Sequence, residues 1–147
     1  MAGYSSTPLA KKLGYKPGQT VHLHQAPADY ARLLALGDPT AVTWLKEPKA
    51  GVQLIHAFTA DLVELKQLLA LYRKRLAPDG AVWVSWPKKA AKVPTDITED
   101  RIPEAALPLG LVDIKVCAVD DTWSGLKLMV RRSERPAPPA RRAARRA

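Results

Sequence analysis

The sequence predicts a small three-layer α/β domain whose mainly parallel sheet ends in an antiparallel hairpin. Its clearest signal is the apolar run Val52–Phe58, followed by a helical pattern to Leu76, a Pro-Asp-Gly turn and a second apolar run at 81–85. This strand–helix–strand order predicts a right-handed crossover and therefore parallel strands. Two further β-rich runs, at 111–119 and 125–131, are joined so closely that we expect them to be antiparallel.

Shorter elements precede the crossover. The dipeptide Thr7-Pro8 begins a short helix that Gly14 ends, because threonine caps free amides, proline suits the first turn and glycine favours the left-handed exit. The alternating run Thr20–His24 predicts a strand. A helical pattern over 28–36 and a short strand over 41–45 complete this part of the chain.

One more helix is predicted between the crossover and the hairpin. Asp96 and Glu99 have the spacing of a capping box, and the helical pattern after them continues to Ala106. Pro103 lies inside this helix and should shorten or kink it. Together these elements predict a single domain over residues 1–132.

Composition indicates a reducing compartment and an uneven distribution of charge. The chain has one cysteine, no signal-peptide pattern and no apolar run of membrane-spanning length, so we expect a cytoplasmic protein without a disulfide or membrane contact. The net charge is +9, and residues 131–147 hold six of those charges. Residues 133–147 are rich in Arg, Pro and Ala, which predicts a disordered tail.

Long sequence runs resemble a known family. GYSSTPLAKKLGYKPG near the start and SWPKKAAKVPTDITEDRIPEAALPLGLVDIKVCAVDDTWSGLKLMVRR near the end carry the resemblance. They are similar to an uncharacterised bacterial family, domain of unknown function 3052, over about residues 3–132. The resemblance supports the domain boundaries and implies no activity.

The order of the elements also resembles the last half of a class I methyltransferase, a Rossmann-like fold. A parallel crossover ending in LAPDGAVWVS, then a helix and an antiparallel hairpin, carry this second resemblance. In that family a glycine-rich turn after the first strand lets the backbone approach S-adenosylmethionine, and an acidic residue after the second strand binds the ribose. Here the turn at 24–29 is HQAPAD, without glycine, and only Glu47 follows the second strand. We therefore expect no bound cofactor.

The best candidate for a ligand site follows the second strand of the crossover. Ligands of open α/β sheets bind at the carboxyl ends of parallel strands, and ammonium groups beside an indole suit an anion that carries an aromatic ring. The alternative interpretation is a solvated basic loop, with the hairpin-tip tryptophan simply covering the sheet edge. The residues of this predicted site are aromatic or basic: Trp86, Lys88, Lys89, Lys92 and Trp123.

Histidine and cysteine allow further interpretations. His22 and His24 share one strand face, and His56 lies on the neighbouring strand if the methyltransferase strand order holds, so the three imidazoles are a candidate zinc or nickel site. The alternative is a thinly covered sheet face, available to a partner protein or to a second subunit in a homodimer. Cys117 has no base beside it in the sequence and is interpreted as a small buried hydrophobe.

Three functions compete on these patterns. The first is a non-catalytic binding or regulatory protein on a degenerate methyltransferase-like sheet, with an anionic small molecule or a protein as its partner. The second is a nucleic-acid-associated protein, and the third is a residual enzyme with an altered cofactor site. In the second, the phosphate contacts come from arginines of the tail: Arg141, Arg142, Arg145 and Arg146.

Overall fold

A six-stranded sheet organises residues 8–135, the part of the chain that the computed structural model describes. The strands lie side by side in the order β2-β1-β3-β4-β6-β5. Strands β1 to β4 are parallel, and β6 is antiparallel to both of its neighbours, which confirms the predicted mainly parallel sheet with its terminal hairpin. The strands are β1 (Thr20–His24), β2 (Thr43–Leu45), β3 (Val52–Phe58), β4 (Leu76–Pro87), β5 (Leu111–Ala118) and β6 (Trp123–Val130).

Helices cover both faces of the sheet and complete the predicted three layers. Helices α3 and α4 pack on one face with the larger apolar core, and α1 and α2 pack on the other face with a second core. Within residues 8–135, no helix combines the length and the apolar character needed to cross a membrane. The helices are α1 (Leu9–Leu13), α2 (Tyr30–Leu34), α3 (Leu62–Arg75) and α4 (Arg101–Ala106).

The crossover helix α3 begins and ends for local reasons. The Asp61 carboxylate accepts a hydrogen bond from the Glu64 backbone N–H at 3.1 Å, which caps the first turn. The helix ends at Arg75 because Leu76 is extended and already pairs with Val52 of β3. The predicted Pro-Asp-Gly turn is therefore an irregularity within β4, where a Cβ on Gly80 would lie 2.9 Å from a backbone oxygen of β3.

The helix predicted from Asp96 begins five residues later, at Arg101. The Asp96 carboxylate accepts a hydrogen bond at 2.8 Å from the backbone N–H of Leu62, so it caps α3 from a distant segment. The capping-box interpretation of Asp96 and Glu99 is therefore wrong. Pro103 lies in the first turn of α4, where its missing N–H breaks no helical hydrogen bond.

The chain after β6 stays on the domain for five residues. A 3-10 turn forms over Arg132–Glu134, and the Glu134 carboxylate lies 3.4 Å from Arg73 and 3.3 Å from Arg131. Residues 133–135, which composition assigns to the tail, thus continue the domain. The rest of the tail, with Arg141, Arg142, Arg145 and Arg146, lies outside the described residues, as does the predicted cap Thr7.

Candidate functional site

The carboxyl ends of β1, β3 and β4 meet at one edge of the sheet. This carboxyl edge consists of residues 24–27, 58–61 and 85–88. In open α/β sheets the crevice at this edge is where ligands bind. Its side chains therefore decide which ligands the protein can accept.

The turn after β1 adopts a conformation that glycine favours, yet it contains no glycine. Gln25 has φ of +54°, in the left-handed region, where a side chain costs about 1–3 kcal/mol. The Pro27 carbonyl then accepts a hydrogen bond from the Tyr30 backbone N–H at 3.0 Å, which joins the turn to α2. Every residue from 24 to 29 carries a Cβ, so the main chain is shielded where a glycine-rich loop would leave it open.

A polar cluster links β1 to the start of α3 across the carboxyl edge. The Nε2 atom of His24 lies 3.8 Å from one carboxylate oxygen of Glu64. The hydroxyl of Thr59, a buried residue after β3, donates a hydrogen bond to the other oxygen of that carboxylate. Each oxygen of the Glu64 carboxylate therefore has a polar neighbour within the protein.

On the face of the sheet that α1 and α2 cover, four side chains form a continuous hydrogen-bonded series that we call the buried polar chain. Ser85 Oγ lies 2.7 Å from His56 Nε2, His56 Nδ1 lies 2.9 Å from the Tyr30 hydroxyl, and that hydroxyl lies 2.7 Å from the Tyr15 hydroxyl. Burial lowers the pKa of His56 to about 3 and raises the pKa of Tyr15 to about 12, so both are neutral at pH 7. A neutral imidazole has one donor and one acceptor, which suits its two hydroxyl partners.

The buried polar chain is structural rather than nucleophilic. Ser85 is completely buried, so no substrate reaches its hydroxyl beside the His56 imidazole. Sequence reasoning missed this series, although one signal was available: His56 lies within the otherwise apolar part of β3. A histidine in such a strand needs buried partners.

The three histidines lie on both faces of the sheet. The predicted pairing of their strands is confirmed, with Leu23 of β1 opposite His56 of β3. Since side chains alternate along a strand, His56 lies on the face opposite to His22 and His24. The zinc or nickel interpretation is therefore wrong, and residues 8–135 contain no group of three metal-binding side chains.

The two tryptophans of the predicted ligand site lie on opposite faces. Trp86 is only 6% exposed and packs in the core beneath α3 and α4. Trp123 packs on the other face, with its ring centroid 5.1 Å from that of Phe58. Trp123 of β6 pairs with Pro87, the residue after Trp86, and successive side chains of a strand lie on opposite faces of the sheet. The prediction that Trp86 and Trp123 lie together in one site is therefore wrong.

The lysines of the predicted site lie in the loop that follows β4. Lys88 is half-buried and its backbone N–H donates to the Thr122 carbonyl at 2.8 Å, whereas Lys89 and Lys92 are exposed. The Trp86 ring that the sequence placed beside this loop is buried in the core. Anion binding by the three lysines stays a prediction.

Cys117 is half-buried in the apolar layer beneath α1. Burial raises the pKa of its thiol, so the thiolate is scarce at neutral pH. This environment agrees with a small hydrophobe and opposes a nucleophile.

An apolar groove with a volume of about 390 Å³ opens between α2 and β2, beside the turn after β1. Its volume lies within the range of small-molecule sites, which are mostly apolar. Trp44 is 41% exposed, and its indole N–H donates to the Pro39 carbonyl at 3.0 Å, which fixes the ring. The main lining residues are apolar or aromatic: Leu23, Ala26, Tyr30, Leu34, Leu36 and Trp44.

The helix that forms one wall of the groove is held between two residues in the left-handed conformation. Gln25 precedes α2 with φ of +54°, and Ala35 follows it with φ of +50°. Neither residue is glycine, and such conformations persist only where the surrounding structure imposes them. Ala35 is the C-cap of α2, and its backbone N–H donates to the Ala31 carbonyl, so its left-handed conformation ends the helix.

The sheet, its crossover and its carboxyl edge define a protein with the class I methyltransferase fold. A protein described as a type 11 methyltransferase from Sulfolobus solfataricus is similar, with 17% identity and a TM-score of 0.59 over 88% of this chain and 93% of that chain. A TehB-like SAM-dependent methyltransferase from Corynebacterium glutamicum has 13% identity and a TM-score of 0.54 over 88% and 91% of the two chains. A structure containing the Haloferax volcanii Trm112 methyltransferase activator and a methyltransferase has 12% identity and a TM-score of 0.56 over 83% and 86%. At these identities the likeness concerns the fold.

Within that class, the chain belongs to the family described as "Protein of unknown function (DUF3052)", whose model matches residues 54–132. This confirms the family resemblance seen in the sequence. Among curated proteins, none matches this sequence. The cytoplasmic location and the homodimer stay predictions.

Proposed function

We propose that this protein is a non-catalytic binding protein, which uses a methyltransferase-like sheet to hold an apolar group of a ligand in the groove between α2 and β2. The observation that carries the proposal is the glycine-free turn after β1. Close approach of a methionine-derived cofactor to the backbone needs residues without side chains at this position. In this chain Gln25, Ala26 and Pro27 occupy it.

The carboxylates near the edge support the same conclusion. Glu64 is engaged by Thr59 and His24, and Asp29 forms an ion pair with Arg32 at 2.8 Å. Glu47 is exposed, two residues beyond the end of β2. A ribose needs a carboxylate held in place against two adjacent hydroxyls, whereas Glu47, the carboxylate in the usual place, is an exposed loop side chain.

The lining of the groove favours an apolar group over an anion. Tyr30 and Trp44 contribute aromatic rings, and the other main lining side chains are aliphatic. The lysines predicted to bind an anion belong to a different loop and do not line the groove. A small molecule is one source of the apolar group, and an apolar side chain of a partner protein is a second, because one similar structure contains a methyltransferase with its activator protein.

Filling the groove should abolish binding of an apolar probe. Ala31 lines the groove and is exposed, so Ala31→Trp places an indole in the groove without disturbing the core. We expect this variant to weaken binding of the neutral dye N-phenyl-1-naphthylamine at least tenfold, roughly 1.4 kcal/mol, in a fluorescence titration. The control is Ala70→Trp, at an exposed position of α3.

Two results would contradict the proposal: equal loss of dye affinity in both tryptophan variants, or no saturable binding by the unmodified protein. Native mass spectrometry of protein isolated from its own cells separates the two sources of the apolar group. A small-molecule adduct absent from Ala31→Trp identifies the first source. A polypeptide adduct with the same dependence identifies the second.

A further inference from the structure

The amino edge of the sheet, opposite the carboxyl edge, carries a concentration of positive charge. Helix α3 runs back along the parallel strands and ends at this edge, and β6 also ends there because it is antiparallel to β4. Both chain segments end in basic residues. We call these six residues the basic surface: Arg73, Lys74, Arg75, Arg131, Arg132 and Arg135.

Specific contacts hold the two segments of the basic surface together. Arg73 Nε donates to the Leu109 carbonyl at 2.8 Å, and the Arg131 backbone N–H donates to the Gly110 carbonyl at 2.7 Å. Glu134 lies between Arg73 and Arg131 and contacts both guanidinium groups. Gly110 has φ of +79°, and a Cβ there would lie 2.5 Å from the Glu134 carboxylate, so the site fits this turn closely.

The basic surface has far more positive charge than its own carboxylate neutralises. Within residues 8–135, the ion pairs of these six cations all involve Glu134. Lys74, Arg75, Arg131 and Arg132 are exposed, so their charge faces solvent. Six cations share this one paired carboxylate, and such an excess of like charge raises the local concentration of a polyanion and speeds its association.

The chemistry of the basic surface favours phosphate groups repeated along a chain. Five of its six cations are arginines, whose planar guanidinium groups bind phosphate oxygens through paired hydrogen bonds. Neither segment, 73–75 or 131–135, contains an apolar residue that could enter a lipid bilayer. The sequence beyond Arg135 adds two Arg-Arg pairs, at 141–142 and 145–146, so the positive charge continues along the chain.

We propose that the basic surface binds the phosphate backbone of a nucleic acid without reading its sequence. This surface lies at the edge of the sheet opposite to the turn after β1, so the proposal is independent of the groove. The proposed contacts come from the folded domain, which distinguishes this proposal from binding by the tail arginines alone.

The test measures fluorescence anisotropy of a labelled 20-nucleotide single strand and a 20-base-pair duplex with the full-length protein, at KCl concentrations from about 50 to 200 mM. The double variant Lys74→Gln/Arg75→Gln removes two charges from the basic surface. Because each phosphate contact contributes about 0.7–0.9 to the slope of log K against log salt, we expect the slope to fall by about 1.4–1.8 and the affinity at low salt by about tenfold.

The matched control, Lys11→Gln/Lys66→Gln, removes two exposed charges elsewhere and should change affinity less than about twofold. A full-length variant with glutamine at all four tail arginines should bind more weakly but keep its dependence on Lys74 and Arg75. Equal effects of the two double variants, complete loss in the tail variant, or preference for phosphatidylglycerol vesicles over both oligonucleotides would overturn the proposal.

Discussion

Replacing His56 with phenylalanine should lower the free energy of unfolding by about 2–4 kcal/mol. The imidazole is fully buried and bonds to the hydroxyls of Tyr30 and Ser85. Phenylalanine preserves the stacking of ring 56 on Phe58, whose centroid lies 4.2 Å away. The loss therefore comes mainly from the buried Ser85 hydroxyl, which loses its partner, and from the Tyr30 hydroxyl, which keeps only Tyr15. Urea denaturation followed by tryptophan fluorescence measures the change.

Two companion variants make the result interpretable. Ser85→Ala removes one end of the buried polar chain and should cost about 1–2 kcal/mol, which is measurable even if His56→Phe does not fold. His24→Phe, at a partly exposed position outside that chain, should cost less than about 1 kcal/mol. If the free energy of unfolding of His56→Phe lies within about 1 kcal/mol of that of the unmodified protein, the buried polar chain contributes little to stability.

Acidification should destabilise the protein through the same imidazole. The folded-state pKa of His56 is about 3, lowered by burial from the ordinary 6.5, so between these values the unfolded chain binds a proton that the folded chain does not. Stability therefore falls as the pH falls below about 6.5 and stops falling near pH 3. From pH 7 to pH 4 the contribution of His56 amounts to about 3 kcal/mol.

The pH effect is isolated by comparing unfolding free energies of the unmodified protein and His56→Gln from pH 7 to pH 4. Glutamine keeps a donor and an acceptor but does not titrate, so the difference between the two proteins should shrink by about 3 kcal/mol across this range. Carboxylates contribute equally to both curves. His24→Gln serves as the control and should keep the steep slope, whereas parallel curves for the unmodified protein and His56→Gln would contradict the assignment.

The fold was predictable where local patterns determine it. The apolar run of β3, the stripe of α3 and the short connection of the hairpin are periodic signals within single segments, and each element formed as expected. The predicted start of α4 was wrong because the Asp96 carboxylate accepts a hydrogen bond from the backbone N–H of Leu62, 34 residues away. Spacing along the sequence cannot reveal such a distant acceptor.

The candidate site was also predictable only in part. The absence of glycine at 24–29 is visible in the sequence, and the structure adds only that Gln25 adopts the left-handed conformation itself. The expected juxtaposition of Trp86 and Trp123 was wrong because one step along a strand decides which face of the sheet a side chain joins. The groove and the buried polar chain combine α2 with residues from distant strands, so they become visible only once the sheet is assembled.

Titration calorimetry with S-adenosylmethionine and S-adenosylhomocysteine, up to about 1 mM, tests the central claim that the turn after β1 excludes this cofactor. We predict heats equal to dilution and an unchanged melting temperature, whereas a ligand at a hundredfold excess over its Kd would stabilise the fold by about 2.7 kcal/mol. Saturable binding with a Kd below about 100 μM, lost in Glu47→Ala, would contradict the account.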